Sequence, residues 1–171
     1  SSIYSRGLLW QKSQGWAKTR QQNFMARRAA GLFFNKYTLP NQSIAMHSVG
    51  AVPFYAQRYC IDMWGLNDKI IARTPVKNFG SGMAGHERSN PEYVFSKEPD
   101  FFIPEDNWLQ LEKFHQMPSD DLPDIFSEKY VAISIPLGAS WMNFWIHKRN
   151  LKYGEDNVKG LQWNKYVWEK P

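Results

Sequence analysis

Between residues 43 and 103 short β-favouring runs alternate with short helical ones, and this alternation constrains the fold more than any other feature. Ser43 to His47, Tyr59 to Asp62 and Asp100 to Ile103 read as strands. Gly50 opens a turn after the first, and Pro53 suits the first turn of a short helix. Asn90-Pro91 reads as a helix cap with Pro at the first helical position; that helix runs to about Lys97 and Pro99 ends it. Strands separated by helices pair in parallel more readily than they fold back as hairpins. The expected fold class is α/β, a small three-layer α/β/α domain with a mostly parallel sheet plus a C-terminal β-hairpin.

The hairpin is expected from Lys129 to Pro136 and Ser140 to Lys148, joined through Pro136 to Gly138. In the second run Met142, Phe144 and Ile146 share one face, while Trp141, Asn143, Trp145 and His147 share the other. Trp16 to Tyr37 reads as a helix with Met25, Ala29, Leu32 and Phe33 on one face and Arg20, Arg27 and Arg28 largely off it. Glu105 to Glu128 is acidic and proline-punctuated, and reads as a long loop with room for one helical turn. The tail from Leu151 carries Trp163, Tyr166 and Trp168 without a clear period. Nothing resembles a linker or a repeat, so residues 1–171 are expected to be one domain. It has a basic helical region at 1–40, an α/β block at 41–104, and an acidic loop, hairpin and aromatic tail at 105–171.

Charge separates along the chain. Residues 1–40 hold seven basic side chains and no acid, whereas Glu87 to Glu128 holds eleven acids against Arg88, Lys97 and Lys113. The formal +5 is therefore a basic opening segment set against an acidic middle. Such a segment can meet phosphate, lipid headgroups or nucleic acid, or be a solvated helix face. Nucleic acid fits poorly, since the aromatic C-terminal strands lack interleaved Arg and Lys and no helix-turn-helix, zinc finger or RNP-type strand occurs. No apolar run approaches the roughly 18 residues of a membrane helix. Cys60 is the only cysteine, which excludes an internal disulfide and a multi-thiolate zinc site. It lies in an expected strand, where a buried thiol is the ordinary reading.

Several patterns invite chemistry and lack its full signature. Phe79 to Glu87 contains Gly80, Gly82 and Gly85 but no Gly-Lys-Ser/Thr ending, so it is not a P-loop. His86-Glu87, with His47, His115 and His147, offers metal-ligand types without metal-site spacing. No Gly-x-Ser-x-Gly elbow occurs. No metal, cofactor or catalytic residue is therefore assigned from these patterns.

One ordered series of motifs is distinctive. It runs Ser48-Val49-Gly50-Ala51-Val52-Pro53-Phe54-Tyr55, then Ile61-Asp62-Met63-Trp64-Gly65-Leu66-Asn67-Asp68 and Ile71-Ala72-Arg73. Gly85-His86-Glu87-Arg88, Asn90-Pro91-Glu92-Tyr93-Val94 and Lys97-Glu98-Pro99-Asp100 follow. The series resembles the C-terminal soluble domain of bacterial polytopic glycosyltransferases that use polyprenyl-phosphate sugar donors, such as the arabinofuranosyltransferases of the mycobacterial cell wall and their mannosyltransferase-like relatives. The likeness covers about residues 24–103. Phe54 stands where that family more often has Tyr, and Trp64 where it has a smaller apolar residue.

The resemblance implies a parent chain anchored in the cytoplasmic membrane through helices before Ser1, with the catalytic carboxylate in that missing part. This domain would then lie on the periplasmic or extracellular side, be inactive alone, and meet a glycan acceptor or the polyprenyl-phosphate sugar. In open α/β sheets ligands bind beyond the strand C-terminal ends. Tyr55, Asp62, Asn67, Asp68, His86 and Glu87 are thus expected to converge on one edge as ligand-binding candidates. Structural capping by Asp62 and Asn67, with His86 and Glu87 pinning the loop, is the competing account. Trp141, Asn143, Trp145 and His147 form an alternative glycan platform. Two other functions stay open: a free-standing carbohydrate-binding module, and a hydrolase or metal enzyme using His86 and Glu87.

Overall fold

The structure, a computed structural model, describes residues 21–47, 49–76, 79–82, 85–103, 108–110, 124–138, 140–154 and 162–167. It is a mixed α/β fold around one six-stranded sheet. Helix α1 covers 21–37. Strand β1 (Ser43–Met46), helix α2 (Ala51–Ala56) and strand β2 (Tyr59–Asp62) follow. Helix α3 (Pro91–Ser96) leads into β3 (Phe101–Ile103), then β4 (Leu109–Gln110), helix α4 (Asp124–Lys129), β5 (Tyr130–Leu137) and β6 (Ser140–His147). Three 3-10 segments, Ile71–Arg73, Lys148–Gly154 and Trp163–Tyr166, complete the described chain.

The sheet has two characters. Strands β2, β1 and β3 pair in parallel, with Ile44 opposite Cys60 on one side and Phe101 on the other. From β3 onward pairing is antiparallel: β3 and β4 lie along one side of β6, and β5 along the other, Leu137 opposite Ser140. The expected mostly parallel sheet thus describes only the half built from strands separated by helices. Beyond β5, Val167 bridges to Ile133 and brings the C-terminal segment to that edge.

Strand alternation sorts the core onto both faces. Ile44, Met46, Phe101, Ile103, Met142, Phe144 and Ile146 face α1, α2 and Trp163; Ala45, Ile61, Phe102, Tyr130, Ala132 and Trp145 pack with Ile71, Val94 and Phe126. Both faces of β1 are buried, as a central parallel strand requires. The second cluster is strongly aromatic, with Phe126 and Tyr130 stacked at 4.9 Å.

Local signals set most element ends. The Asn90 side chain accepts from the Tyr93 amide at 3.0 Å, and Pro91 follows it at the first helical position. Gly50 starts α2 at φ +127°, a conformation closed to most other residues. Arg58 ties two helix ends together. Its guanidinium donates to the carbonyls of Asn35, Thr38, Ala56 and Gln57 and to the Thr38 hydroxyl. These are carbonyls that a helix terminus leaves without internal partners.

Helix α1 differs from its expected orientation. Its buried positions are Ala30, Gly31 and Phe34, while Met25 and Leu32 are exposed and Phe33 is only partly covered. Gly31 decides this: a Cβ there would lie 2.7 Å from Tyr55 Cβ and 2.8 Å from the Val52 carbonyl. Only a glycine face lets α1 approach the backbone of α2, and that approach fixes the helix rotation. Helix α4 stands where the acidic segment was expected to be mainly loop; residues 104–107 and 111–123 of that segment, and the N-terminal part of the expected helix from Trp16, lie outside the described residues.

Candidate functional site

Asp62 ends β2 and is almost fully buried. One carboxylate oxygen accepts from the Trp64 amide at 3.1 Å and the other from the Asn67 amide at 2.5 Å. Its carbonyl accepts from Gly65 at 3.0 Å. Asp62 therefore organises the turn at 63–67 and offers no free oxygen toward solvent. Asp68 does the same one step later. It accepts from the amides of Ile70 and Ile71 at 2.9 and 3.0 Å and from the Tyr93 hydroxyl at 3.2 Å. Asn67 is exposed on the turn that Asp62 holds.

Glu87 accepts from the amides of Gly80 and Gly82 at 2.8 and 2.9 Å. A carboxylate gripped by two loop amides fixes the glycine loop against the turn, which is how these glycines are used here. Arg88 donates to the Ala72 carbonyl, and its guanidinium sits 5.9 Å from the Phe79 ring centre. His86 meets Trp64 edge to face at 3.9 Å, and His47 stacks on Trp64 at 5.1 Å. His47 directly follows β1 and Trp64 follows β2 by two residues, so this aromatic group sits beyond the C-terminal ends of two parallel strands. Beside it opens a cavity of about 110 Å³ lined by Trp64, Leu66, Ala72, Phe79, Glu87 and Arg88.

Of the residues expected to converge, Asp62, Asn67, Asp68, His86 and Glu87 do lie along one strand-end edge. Tyr55 belongs elsewhere. It packs on α1, with Phe24 at 6.4 Å and the Arg28 guanidinium at 5.3 Å from its ring centre. The edge also holds Trp64, His47 and Arg88, which sequence reasoning named without placing them there. Their one signal was that Trp64 stands where a smaller apolar side chain is usual in the resembled family.

The alternative platform on β6 is mostly core. Trp145 is 2% exposed, with Phe102 and Phe126 at 6.2 and 5.8 Å, and Asn143 is buried with its Oδ1 accepting from the Ser134 hydroxyl at 2.8 Å. A ring covered by α4 has no face for a sugar. His147 packs edge to face on Tyr130 at 5.0 Å and its Nδ1 accepts from the Arg149 amide at 3.2 Å. Burial, then the Arg149 charge, holds its imidazole below the ordinary 6.5.

A second polar cluster had no sequence signal. Asp100 accepts on one oxygen from Arg149 Nε and Nη2 at 3.1 and 2.9 Å and from Asn150 at 3.1 Å; its other oxygen takes the Ser43 amide at 2.9 Å. Glu98, lowered below its ordinary range first by its hydrogen bond to Lys129, joins through Lys129 and Arg149. Every oxygen in this network is engaged, and it clamps the starts of β1 and β3 to the chain leaving β6.

Burial, and next the Asp62 charge, pushes the Cys60 thiol up to about 12, so it stays protonated near neutrality. Among the described residues no group of three or more His, Cys, Asp or Glu side chains is placed to hold a metal ion, and no helix is long and apolar enough to cross a membrane. A family model described as a domain of unknown function, DUF8728, matches residues 13–153. No curated protein and no solved structure matches the chain.

Proposed function

We propose, for a chain that belongs to the DUF8728 family, the role of an extracytoplasmic accessory domain in a membrane glycosyltransferase that uses polyprenyl-phosphate sugars. The domain holds a glycan acceptor at the edge beyond β1 and β2, and the membrane part carries the chemistry. The motif series Gly50 to Tyr55, Asp62 to Asp68, His86-Glu87 and Glu98 to Asp100 motivates the family; the edge supplies the place. The observation that carries the glycan assignment is Trp64, which packs with His47 and His86 and lines a cavity together with Arg88. Aromatic faces take the apolar side of a sugar ring, and guanidinium and imidazole groups take its hydroxyls. The cavity of about 110 Å³ is well below the roughly 300–1,000 Å³ of a pocket that engulfs a small molecule. It suits a surface grip on one sugar unit, while the lipid-linked donor stays with the membrane part.

The same reading takes the architecture as three layers, helices over both faces of the sheet, with β5 and β6 as a C-terminal hairpin. Helices α1 and α2 on one face and α3 and α4 on the other support it. The domain lies on the periplasmic or extracellular side of the cytoplasmic membrane.

Titration with short arabinofuranosyl and mannosyl oligosaccharides, followed by amide and indole NMR shifts, tests the assignment. Shifts at Trp64, His86, Arg88 and the 79–82 loop are expected. Shifts confined to Trp141, or none at all, overturn it. The isolated domain is also expected to transfer no sugar from a polyprenyl-phosphate donor, because the resembled family's catalytic carboxylate lies in the membrane part.

A further inference from the structure

We propose that the outer face of α1, continued by the end of α2, is a docking surface for an anionic lipid bilayer, on which the domain lies. On the helical wheel Phe24, Arg28, Leu32, Met25 and Lys36 fall on one side of α1, opposite the buried Ala30 and Phe34. Phe24, Met25 and Leu32 are 47%, 50% and 43% exposed, and Phe54 on α2 is 73% exposed. The apolar residues are joined rather than scattered. Phe54 meets Tyr55 edge to face at 5.1 Å, Tyr55 meets Phe24 at 6.4 Å, and Arg28 lies over the Tyr55 ring. The result is one aromatic strip with basic side chains along it.

Charge selects the occupant. No acidic residue occurs before Asp62, and Arg28 and Lys36 supply positive charge on the strip itself. A soluble partner with an acidic patch would complement the cations alone, and a second copy of this face would set cation against cation. Anionic headgroups over acyl chains match both components, because aromatic and aliphatic side chains enter the headgroup boundary while Arg and Lys stay at phosphate level. The inference goes beyond the glycan assignment and does not need it, since it concerns another surface and a different ligand.

Co-sedimentation of the 171-residue chain with vesicles of phosphatidylglycerol mixed into phosphatidylcholine tests it. Binding is expected to those vesicles, to weaken as salt rises, and to be far weaker to phosphatidylcholine alone. Phe24→Ser with Phe54→Ser is expected to lower affinity at least about tenfold, and Arg28→Glu roughly tenfold. All three side chains are at least partly exposed, so unchanged circular dichroism is expected. Ile70→Ser, an equally exposed apolar position away from the strip, should bind as the parent does. Absence of binding, equal binding to neutral vesicles, or an equal loss in Ile70→Ser overturns the proposal. So does a concentration-dependent dimer abolished by Phe24→Ser, which would assign the strip to a second copy, or displacement of vesicles by duplex DNA.

Discussion

Asp62 gathers the amides of Trp64 and Asn67 while itself almost excluded from water, so removing its carboxylate strands two donors in a partly buried turn. Asp62→Ala is expected to cost about 1–3 kcal/mol, and Asp62→Asn less because one acceptor remains. Urea unfolding would show the difference, and the Trp64 indole shift would report the loosened edge. His147 gives a pH dependence of known sign. Its folded imidazole binds a proton less readily than the unfolded one, so its contribution is complete above the ordinary 6.5 and is lost as pH falls through the lower folded value. Glu98, also lowered, acts in the same direction nearer the ordinary carboxylate value of 4.5. The urea midpoint is therefore expected to fall with acidification below about pH 6.5, in two stages, and His147→Gln should remove the first. Tyr130, Arg149, Glu98, Asp100 and Lys129 are the ionisable groups that act on this histidine or pack against it.

Helices and turns meet here at three glycines with different demands. At Gly65, φ is +75° and a Cβ would lie 2.6 Å from the Ala72 amide nitrogen, which is backbone and cannot swing away. Gly65→Ala should therefore cost more than about 2 kcal/mol, strain and overlap together. Gly80 has φ +90° with open space around it, so Gly80→Ala should cost only about 1 kcal/mol of left-handed strain. Gly31 sits in a helix, where alanine would ordinarily gain close to 1 kcal/mol. Its contact with Tyr55 and Val52 reverses that sign, and Gly31→Ala is expected to lower the thermal midpoint by forcing α1 off α2. Calorimetry on the three variants would rank them Gly65, then Gly31 and Gly80 together.

Across the whole molecule the Asp100–Arg149 network joins positions about fifty residues apart, and with them the parallel and antiparallel halves of the sheet. Arg149→Ala leaves a buried carboxylate with fewer donors and is expected to cost about 2–3 kcal/mol; Arg149→Lys recovers part of it, since an ammonium lacks the fork that grips one oxygen twice. Chemical denaturation of the two variants checks both. None of this clamp was legible in the sequence. By itself the sequence determined β1, β2 and β3, the Asn90-Pro91 cap, the turn at Gly50 and the alternation of β6, because caps, turns and strand period are set by neighbours a few residues away. The expectation that a parallel sheet gathers polar groups beyond its strand ends brought Asp62, Asn67, Asp68, His86 and Glu87 to one edge, with Tyr55 wrongly among them. Only the tertiary structure decided that α1 buries Ala30 and Phe34 instead of Met25 and Leu32, that Tyr55 leaves the edge while Trp64 and His47 build it, and that Trp145 is core. Each of these depends on which surface is brought against which. An apolar residue has no preferred partner until the sheet and its covering helices have closed, and a charge finds its counterpart only where chain segments distant in sequence are packed side by side.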